Sequence, residues 1–529
     1  MHCLLTWWFE STQPHCFDSW VNAFLGIFTS GNRIPQTFLR YSGYVIGANM
    51  LFNSWDFWVF FALIYALYLL LPFLRFQNTL LLVASYYFYA AWDWRFLSLI
   101  VISTIVDYIC GQGIVNAKRT GVRRAYLITS LTFNLGFLGF FKYYDFFAEN
   151  LNDLLIAIGF MPSNLWLNIV LPVGISFYTF QTMSYTIDIY RGNLKPTRNL
   201  LNFALFVSFF PQLVAGPIER AKHFLPQIER PRKLDAEQLS QGSWLIFWGL
   251  FKKIAVADNL APIVDSIYAN SANATVAEVY VGTLAFAFQI YCDFSGYSDV
   301  ARGLAKLMGF DLMLNFNQPY FALNPSDFWR RWHISLSTWL RDYLYIPLGG
   351  NRRGTTRTYI NLAIVMFLGG LWHGASWNFV WWGIFHGCIL MLYHGAREED
   401  DQALLSGIGF RKWFVMFQLT LFGWLLFRSV GFQTLDGVKT LTSFEQIYQL
   451  LCSFQNGLGL NQLSLDLLWS VLFYTAPLLV IDCFEYKTGN HFFLQKKSLF
   501  IRSFAYAVLA AFWIIYGRQG GNEFIYFQF

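Results

Sequence analysis

From Trp55 onward the chain is a succession of apolar segments. They fall at roughly 55–74, 78–92, 96–116, 125–142, 166–189, 200–215, 243–260, 276–292, 357–372, 376–394, 411–428, 466–483 and 500–516. A helix needs about 20 apolar residues to cross a hydrocarbon core of roughly 30 Å, so several of these segments are too short to cross alone. The pattern predicts an all-α, polytopic integral membrane protein with roughly 10 to 13 membrane segments. Some should be re-entrant or tilted, around a central funnel or tunnel.

Composition agrees. Of 529 residues, 56% are hydrophobic and 13% charged, against about 25% charged in a soluble domain. Phe, Tyr and Trp make up 20%, which suits a chain that meets many lipid–water interfaces. The net charge of +6 is modest and its basic residues lie in short loops. They read as topology signals, and no nucleic-acid partner is expected, because no long basic run is interleaved with exposed aromatics. Seven cysteines are scattered without CxxC or ligand-like spacing, so neither a disulfide framework nor a metal site is expected. No bound cofactor is expected either.

The clearest orientation marker is Lys118-Arg119-Thr120-Gly121-Val122-Arg123-Arg124, which should be cytoplasmic. The segment 200–215 has basic residues on both sides: Arg191, Lys195 and Arg198 before it, Arg220, Lys222, Arg230, Arg232 and Lys233 after it. If both flanks are cytoplasmic, this stretch enters and leaves on one face, with Pro211 and Gly216-Pro217 as its breaks. Irregular backbone at that depth is tolerated only when buried in protein or lining a cavity. A re-entrant wall of a cytoplasm-facing funnel follows. Extramembrane loops are expected at Ala396–Ser406 and at 431–463.

Two histidines, His333 and His373, stand 40 positions apart in a very aromatic core region, 291–393. Asn324-Pro325-Ser326-Asp327 is a helix-start signature. On a helix over 326–345, Phe328, Trp329, Trp332, Leu336, Trp339, Leu340 and Tyr343 share one side. Asp327, Arg330, Arg331, Thr338, Arg341 and Asp342 share the other, and His333 falls at the border. That predicts an amphipathic helix at an interface or along a polar cavity. His373 follows only 13 apolar residues, Tyr359 to Leu371, or about 20 Å of helix. Gly369-Gly370 should loosen the backbone there, and the next apolar segment begins near Trp377. His373 is therefore expected at a helix break part-way into the membrane, where an ionisable group is costly and a functional suspect. The alternative is a structural histidine bonded within the bundle. His386, inside the next segment, is a candidate to stand behind the other two.

No P-loop, GxSxG elbow or HExxH motif occurs. A near-neutral imidazole in apolar surroundings can take a proton from a hydroxyl. Acyl transfer from a thioester to an alcohol fits, since the thioester is already activated. The motifs then carry a resemblance. The run Asp293–Asp299, Asn315-Phe316-Asn317-Gln318-Pro319-Tyr320, Phe328–His333 with Ile334-Ser335-Leu336-Ser337, Arg341–Asn351 and Trp372-His373-Gly374 resemble the membrane-bound O-acyltransferase (MBOAT) family. Within it the chain most resembles the bacterial alginate O-acetyltransferase membrane subunits and their peptidoglycan-acetylating relatives. Met50-Leu51-Phe52-Asn53-Ser54 and the ending Phe524–Phe529 match the same pattern, so the resemblance covers 50–529.

The resemblance implies a multi-pass enzyme of the bacterial inner membrane that takes acetyl-CoA from the cytoplasm and serves an acceptor on the outer side. It maps the family's invariant histidine onto His373 and a second characteristic position onto His333. It also implies a periplasmic or extracellular partner of the SGNH type and an exported polysaccharide acceptor, alginate or peptidoglycan among them. On this reading His373 is the general base and His333 positions acceptor or thioester. Trp329, Arg330, Arg331, Trp332, Trp372 and Asp299 are candidates to line the substrate site, and Arg352, Arg353 and Arg357 to meet CoA phosphates. The rival classes are a glycan transporter or flippase and a scaffold that merely recruits a soluble transferase.

Residues 1–49 depart from this pattern: they are mixed in polarity, hold no spanning run and lack a secretory signal's features. They read as an upstream extension of the gene model ahead of a single membrane domain, 50–529, or else as an interfacial arm. A chain beginning at Met50 should insert and transfer acetyl groups as the full chain does. Membrane fractionation and an acetyl-transfer assay check this, and loss of either makes the arm part of the enzyme.

Overall fold

A computed structural model describes residues 50–160, 165–213, 216–394, 407–433, 439–518 and 524–525. The expected extension at 1–49 and the expected loop at 396–406 lie outside the described residues. The described elements are helical, as the apolar segments require, with one antiparallel strand pair, Phe432–Gln433 with Lys439–Leu441. That pair and the later helix Ser443–Leu451 occupy part of the stretch expected to be loop, 431–463.

The amino-terminal half holds α1 (Trp55–Leu70), begun where the Ser54 hydroxyl accepts the Phe57 N–H, and α2 (Leu74–Asn116). Two expected segments meet within α2 at a kink at Asp93, where Arg95 holds the carboxylate at 2.6 Å. Helix α3 (Thr120–Leu138) passes through a π-turn, Gly139–Tyr143, into α4 (Tyr144–Ala157). Helix α5 (Ile175–Tyr190) is buried along almost its whole length. Then come the short α6 (Leu200–Ser208), α7 (Phe210–Leu213) and α8 (Ala221–Glu229).

The centre is built by α9 (Ala236–Phe251), a π-turn at Lys252–Ala257, α10 (Asp258–Ala269) and the 32-residue α11 (Val276–Leu307). Helices α9 and α11 lie in backbone contact at Gly249 and Gly296, where a Cβ on either glycine would strike the other helix's main chain. The site region follows as α12 (Pro325–Arg331), α13 (Ile334–Leu340), α14 (Thr355–His373) and α15 (Trp377–His394). The chain continues with α16 (Gly407–Arg428), α17 (Ser443–Leu451), α18 (Gln462–Thr488) and α19 (Leu499–Tyr516). By length and apolar composition α2, α18 and α19 qualify to cross a membrane.

Charges inside this centre are paired, as burial demands. The wider π-turn carries Lys252 and Lys253 into the interior. Lys253 lies between Asp258 at 2.9 Å and Asp293 at 2.6 Å, and Lys252 reaches Asp299 at 2.6 Å and the Ser295 hydroxyl at 3.0 Å. Arg302 closes on Asp299 at 3.1 Å. The carboxylate of Asp299, a candidate substrate contact by sequence, is thus committed to two cations of the scaffold.

The segment 200–215 is broken as Pro211 predicts. Helix α6 has 9 residues, about 13 Å, too few to cross, and the Phe203–Leu213 stretch is buried in protein. Its two flanks meet. The Thr197 hydroxyl bonds Glu229 at 2.7 Å, and Asn78 bonds both Asn202 and the Ile228 carbonyl. Tyr108 and Gln112, near the end of α2, donate to the carbonyls of Arg198 and Thr197. Both flanks therefore stand at the end of the bundle that bears the basic 118–124 loop. Single cysteines at the exposed positions Thr120, Arg198 and Lys222 should all be labelled by an impermeant maleimide from one and the same side, the cytoplasmic one. Labelling of Arg198Cys and Lys222Cys from opposite sides contradicts a re-entrant wall.

Candidate active site

The long amphipathic helix expected over 326–345 does not form. Helix α12 stops at Arg331, Trp332 is extended, and His333 takes a left-handed conformation at φ 42° before α13 begins. A π-turn at Arg341–Tyr345 follows. His333 consequently leaves the border between two faces and is fully buried. A break in the interior exposes main-chain groups that need partners, and the segment 315–318 supplies them. The Ile334 N–H bonds the Asn315 carbonyl at 2.9 Å, and the Asn317 N–H bonds the Arg331 carbonyl at 2.9 Å.

Asn315 also fixes the imidazole. Its side-chain oxygen accepts the Ser335 N–H at 3.3 Å and the Ser335 hydroxyl at 2.9 Å, and it stands 3.1 Å from His333 Nδ1. Because a main-chain N–H can only donate, the Asn315 atom is the carbonyl oxygen, and His333 Nδ1 must carry the proton in the neutral ring. Nε2 is then the ring's acceptor. Phe294 packs across the imidazole with ring centroids 4.7 Å apart.

His373 is the last residue of α14, as the short apolar run predicts, and α15 begins at Trp377. Gly369-Gly370 do not loosen the helix, which is continuous through them. Their use is close approach: a Cβ on Gly370 would strike the Phe379 carbonyl, and one on Gly383 the Met366 carbonyl. Drawn that close, α15 sets Trp382 against His373, with centroids 4.9 Å apart. The rings of His333 and His373 lie 6.4 Å apart. Trp372 touches both, at 5.6 Å and 5.2 Å. The fold thus brings together two imidazoles that are 40 residues apart in sequence.

The other predicted residues divide. Trp329 and Trp332 belong to the same aromatic shell: Trp329 packs on Trp382 and on His386, at 5.6 Å and 5.2 Å, and Trp332 on Phe316 at 5.0 Å. His386 meets Trp382 at 4.7 Å, so it stands behind that indole. Arg331 is bound to Asp327 at 2.8 Å and to the Asn317 carbonyl, and Arg330 is exposed. Neither is shown against the histidines. Arg352 and Arg353 are exposed, ahead of α14, whose 19 residues put about 28 Å between them and His373.

Sequence reasoning missed Lys142. This lysine ends the apolar segment 125–142, and its ammonium donates to the carbonyls of Trp372 at 2.7 Å and His373 at 3.0 Å. It caps the α14 C-terminus, where carbonyls are left without helical partners. A lone lysine amid Phe140-Phe141 and Tyr143-Tyr144 was the available signal. Beyond that cap lies a recess of about 760 Å³, bounded by Lys142, Asp145, Glu149, Gly374, Trp377 and Ser443. Lys142 is 22 residues from Thr120, roughly 33 Å along α3 and its π-turn, so the recess lies far along the bundle from the basic 118–124 loop.

These features define a polytopic helical membrane protein with a paired-histidine site enclosed by aromatic rings. Residues 194–427 match the model of the membrane-bound O-acyltransferase family. A probable alginate O-acetylase AlgI of Pseudomonas aeruginosa is 44% identical over 360 residues, 68% of this chain and 68% of that relative. One of Azotobacter vinelandii is 44% identical over 382 residues, 72% and 75% of the two chains. A peptidoglycan O-acetyltransferase of Helicobacter pylori is 32% identical over 488 residues, 86% of this chain and 92% of its own. The chain belongs to the membrane-bound O-acyltransferase family, and it is an O-acyltransferase.

Asn315→Ala should lower stability by about 1–3 kcal/mol, since it leaves buried donors of Ser335 and His333 without their acceptor. It should also reduce acyl transfer by releasing the His333 tautomer. Thermal unfolding in detergent beside a transfer assay checks both. Unchanged stability would remove Asn315 as the organiser of this break.

Proposed function

We propose that this enzyme takes acetyl from acetyl-CoA on the cytoplasmic side of the bacterial inner membrane and passes it across for O-acetylation of an exported polysaccharide, alginate or a similar exopolysaccharide. The observation that carries the mechanism is the pair of buried imidazoles 6.4 Å apart at the end of α14. His373 acts as general base. It removes the acceptor hydroxyl proton as that oxygen attacks the thioester carbonyl, and returns the proton to the CoA sulfur as the C–S bond breaks. His333, protonated on Nδ1, presents an acceptor at Nε2. A thioester oxygen offers no proton to such a nitrogen, and the single proton of the reacting hydroxyl goes to His373. His333 therefore positions the acceptor by accepting from another of its hydroxyl groups.

Alginate is favoured by the 44% identity to the two AlgI relatives. Peptidoglycan is the second reading, carried by the longer match to the Helicobacter pylori relative. An SGNH-type partner on the outer side would complete the transfer, and the recess beyond Gly374 is where an outer acceptor has room to approach.

His373→Gln should lower thioester turnover by about 10²–10⁴ while leaving the unfolding temperature in place, because glutamine keeps the volume but takes no proton. His333→Gln should be milder. The measurement is release of CoA thiol by the purified protein, with acetate on uronate polymer and on peptidoglycan scored in cells. A His373→Gln enzyme that keeps more than about a tenth of the wild-type rate, outside that range, removes His373 as the base. Intact acetyl-CoA with the wild-type protein would favour a transporter.

A further inference from the structure

Two neutral imidazoles bring an acyl-transfer site two acceptor nitrogens but only one N–H each. Attack on the thioester places negative charge on its carbonyl oxygen, and preorganised N–H groups aimed at that oxygen are usually the largest single contribution to such a reaction. His333 offers none, since its Nδ1 proton is spent on Asn315. The missing donors have to come from the walls.

Four indole Nε1–H groups in those walls, of Trp329, Trp372, Trp382 and Trp424, have no acceptor among the described residues, and of these Trp372 and Trp382 pack on His373 itself. Trp372 is 3% exposed and Trp382 1% exposed. Leaving a buried donor without a partner is costly, and such groups are rare in folded proteins. Here two of them flank one functional side chain. Trp372 comes from α14 and Trp382 from α15, and the rings stand at 83° and 84° to the His373 imidazole, with centroids 5.2 Å and 4.9 Å away. The close crossing at Gly370 and Gly383 is what brings the second indole there.

We propose that the indole N–H groups of Trp372 and Trp382 are the donor pair that holds the acyl oxygen while the acyl group passes from sulfur to the acceptor hydroxyl. This rests on the reading of His373 as base. As the hydroxyl oxygen bonds to the carbonyl carbon, its proton moves to His373 and the carbonyl oxygen becomes an anion between the two indoles. Collapse re-forms the carbonyl, breaks the C–S bond and returns the proton from His373 to sulfur. Both rings are therefore catalytic residues, and their apolar faces exclude water from the same oxygen.

The test is removal of the donor with the ring left in place. Benzothienylalanine, bicyclic like tryptophan but with sulfur in the N–H position, is introduced at 382, and separately at 372. Trp382→Phe serves as the genetically simple version. CoA thiol release from acetyl-CoA is followed alongside His373→Gln and thermal unfolding. The expected result is a loss of about 10²–10³ in kcat for each donor removed, with KM for acetyl-CoA unchanged and the unfolding temperature unchanged or raised. Four results overturn the proposal. If the donor-less proteins stay fast while His373→Gln is silent, the donors are wrong and the base stands. If KM rises with kcat held, the indoles serve ground-state binding. If the unfolding temperature falls together with the rate, the N–H groups bond within the fold, for instance to the imidazole face. Should His373→Gln also remain fast, the base assignment fails and the proposal fails with it.

Discussion

The site depends on a hydrogen-bonded seam between the segment 315–318 and the broken helix that carries His333. A helix interrupted in the interior of a membrane protein leaves polar main-chain groups where no water can serve them. The Asn315 carbonyl, the Asn317 N–H and the Asn315 side chain take up those groups. Without the seam there is no reason for the chain to hold an extended Trp332 and a left-handed His333. With it, an imidazole is turned inward from both neighbouring helices toward the end of α14, where Lys142 holds the carbonyls of Trp372 and His373.

The ion pairs of the centre answer a different constraint. Lys252, Lys253, Asp258, Asp293, Asp299 and Arg302 interrupt otherwise apolar stretches, and each meets an opposite charge. Removing one member of such a set is far more damaging than replacing the set with apolar residues, because the survivor is left charged and buried. Asp299 belongs to this scaffold, whatever its place in the Asp293–Asp299 motif suggested.

Much of the fold was legible because hydropathy reports burial in lipid directly. The succession of helices, the break in 200–215 at Pro211 and the end of α14 at His373 all followed from segment length and breakers. The amphipathic helix over 326–345 failed for a reason the 100° pattern cannot carry. Arg331 of its supposed polar face is clamped to Asp327, and the border residue His333 is swung into the interior by its own left-handed backbone. Nothing in a one-residue φ reversal leaves a periodic trace. The role of Gly369-Gly370 was misread for a related reason. Glycines loosen an isolated helix, but in a packed one they mark where another backbone comes close, and only the partner at Gly383 shows which case holds. Asn315 stood in a quoted motif without a role, and Trp382 was not singled out, because the meaning of each is a partner across the fold.

The left-handed backbone at His333 sets stability against chemistry. A residue other than glycine held there costs on the order of 1–3 kcal/mol, and glycine escapes the Cβ clash responsible. Gln318, also in the seam, is held at the same φ of 42°, but only at His333 would a screen for sturdier protein that relieves this strain remove the imidazole. A collection of variants chosen for expression or heat resistance should therefore be enriched in well-folded enzymes that have gone quiet. In this protein, durability read alone is a misleading guide to a working enzyme.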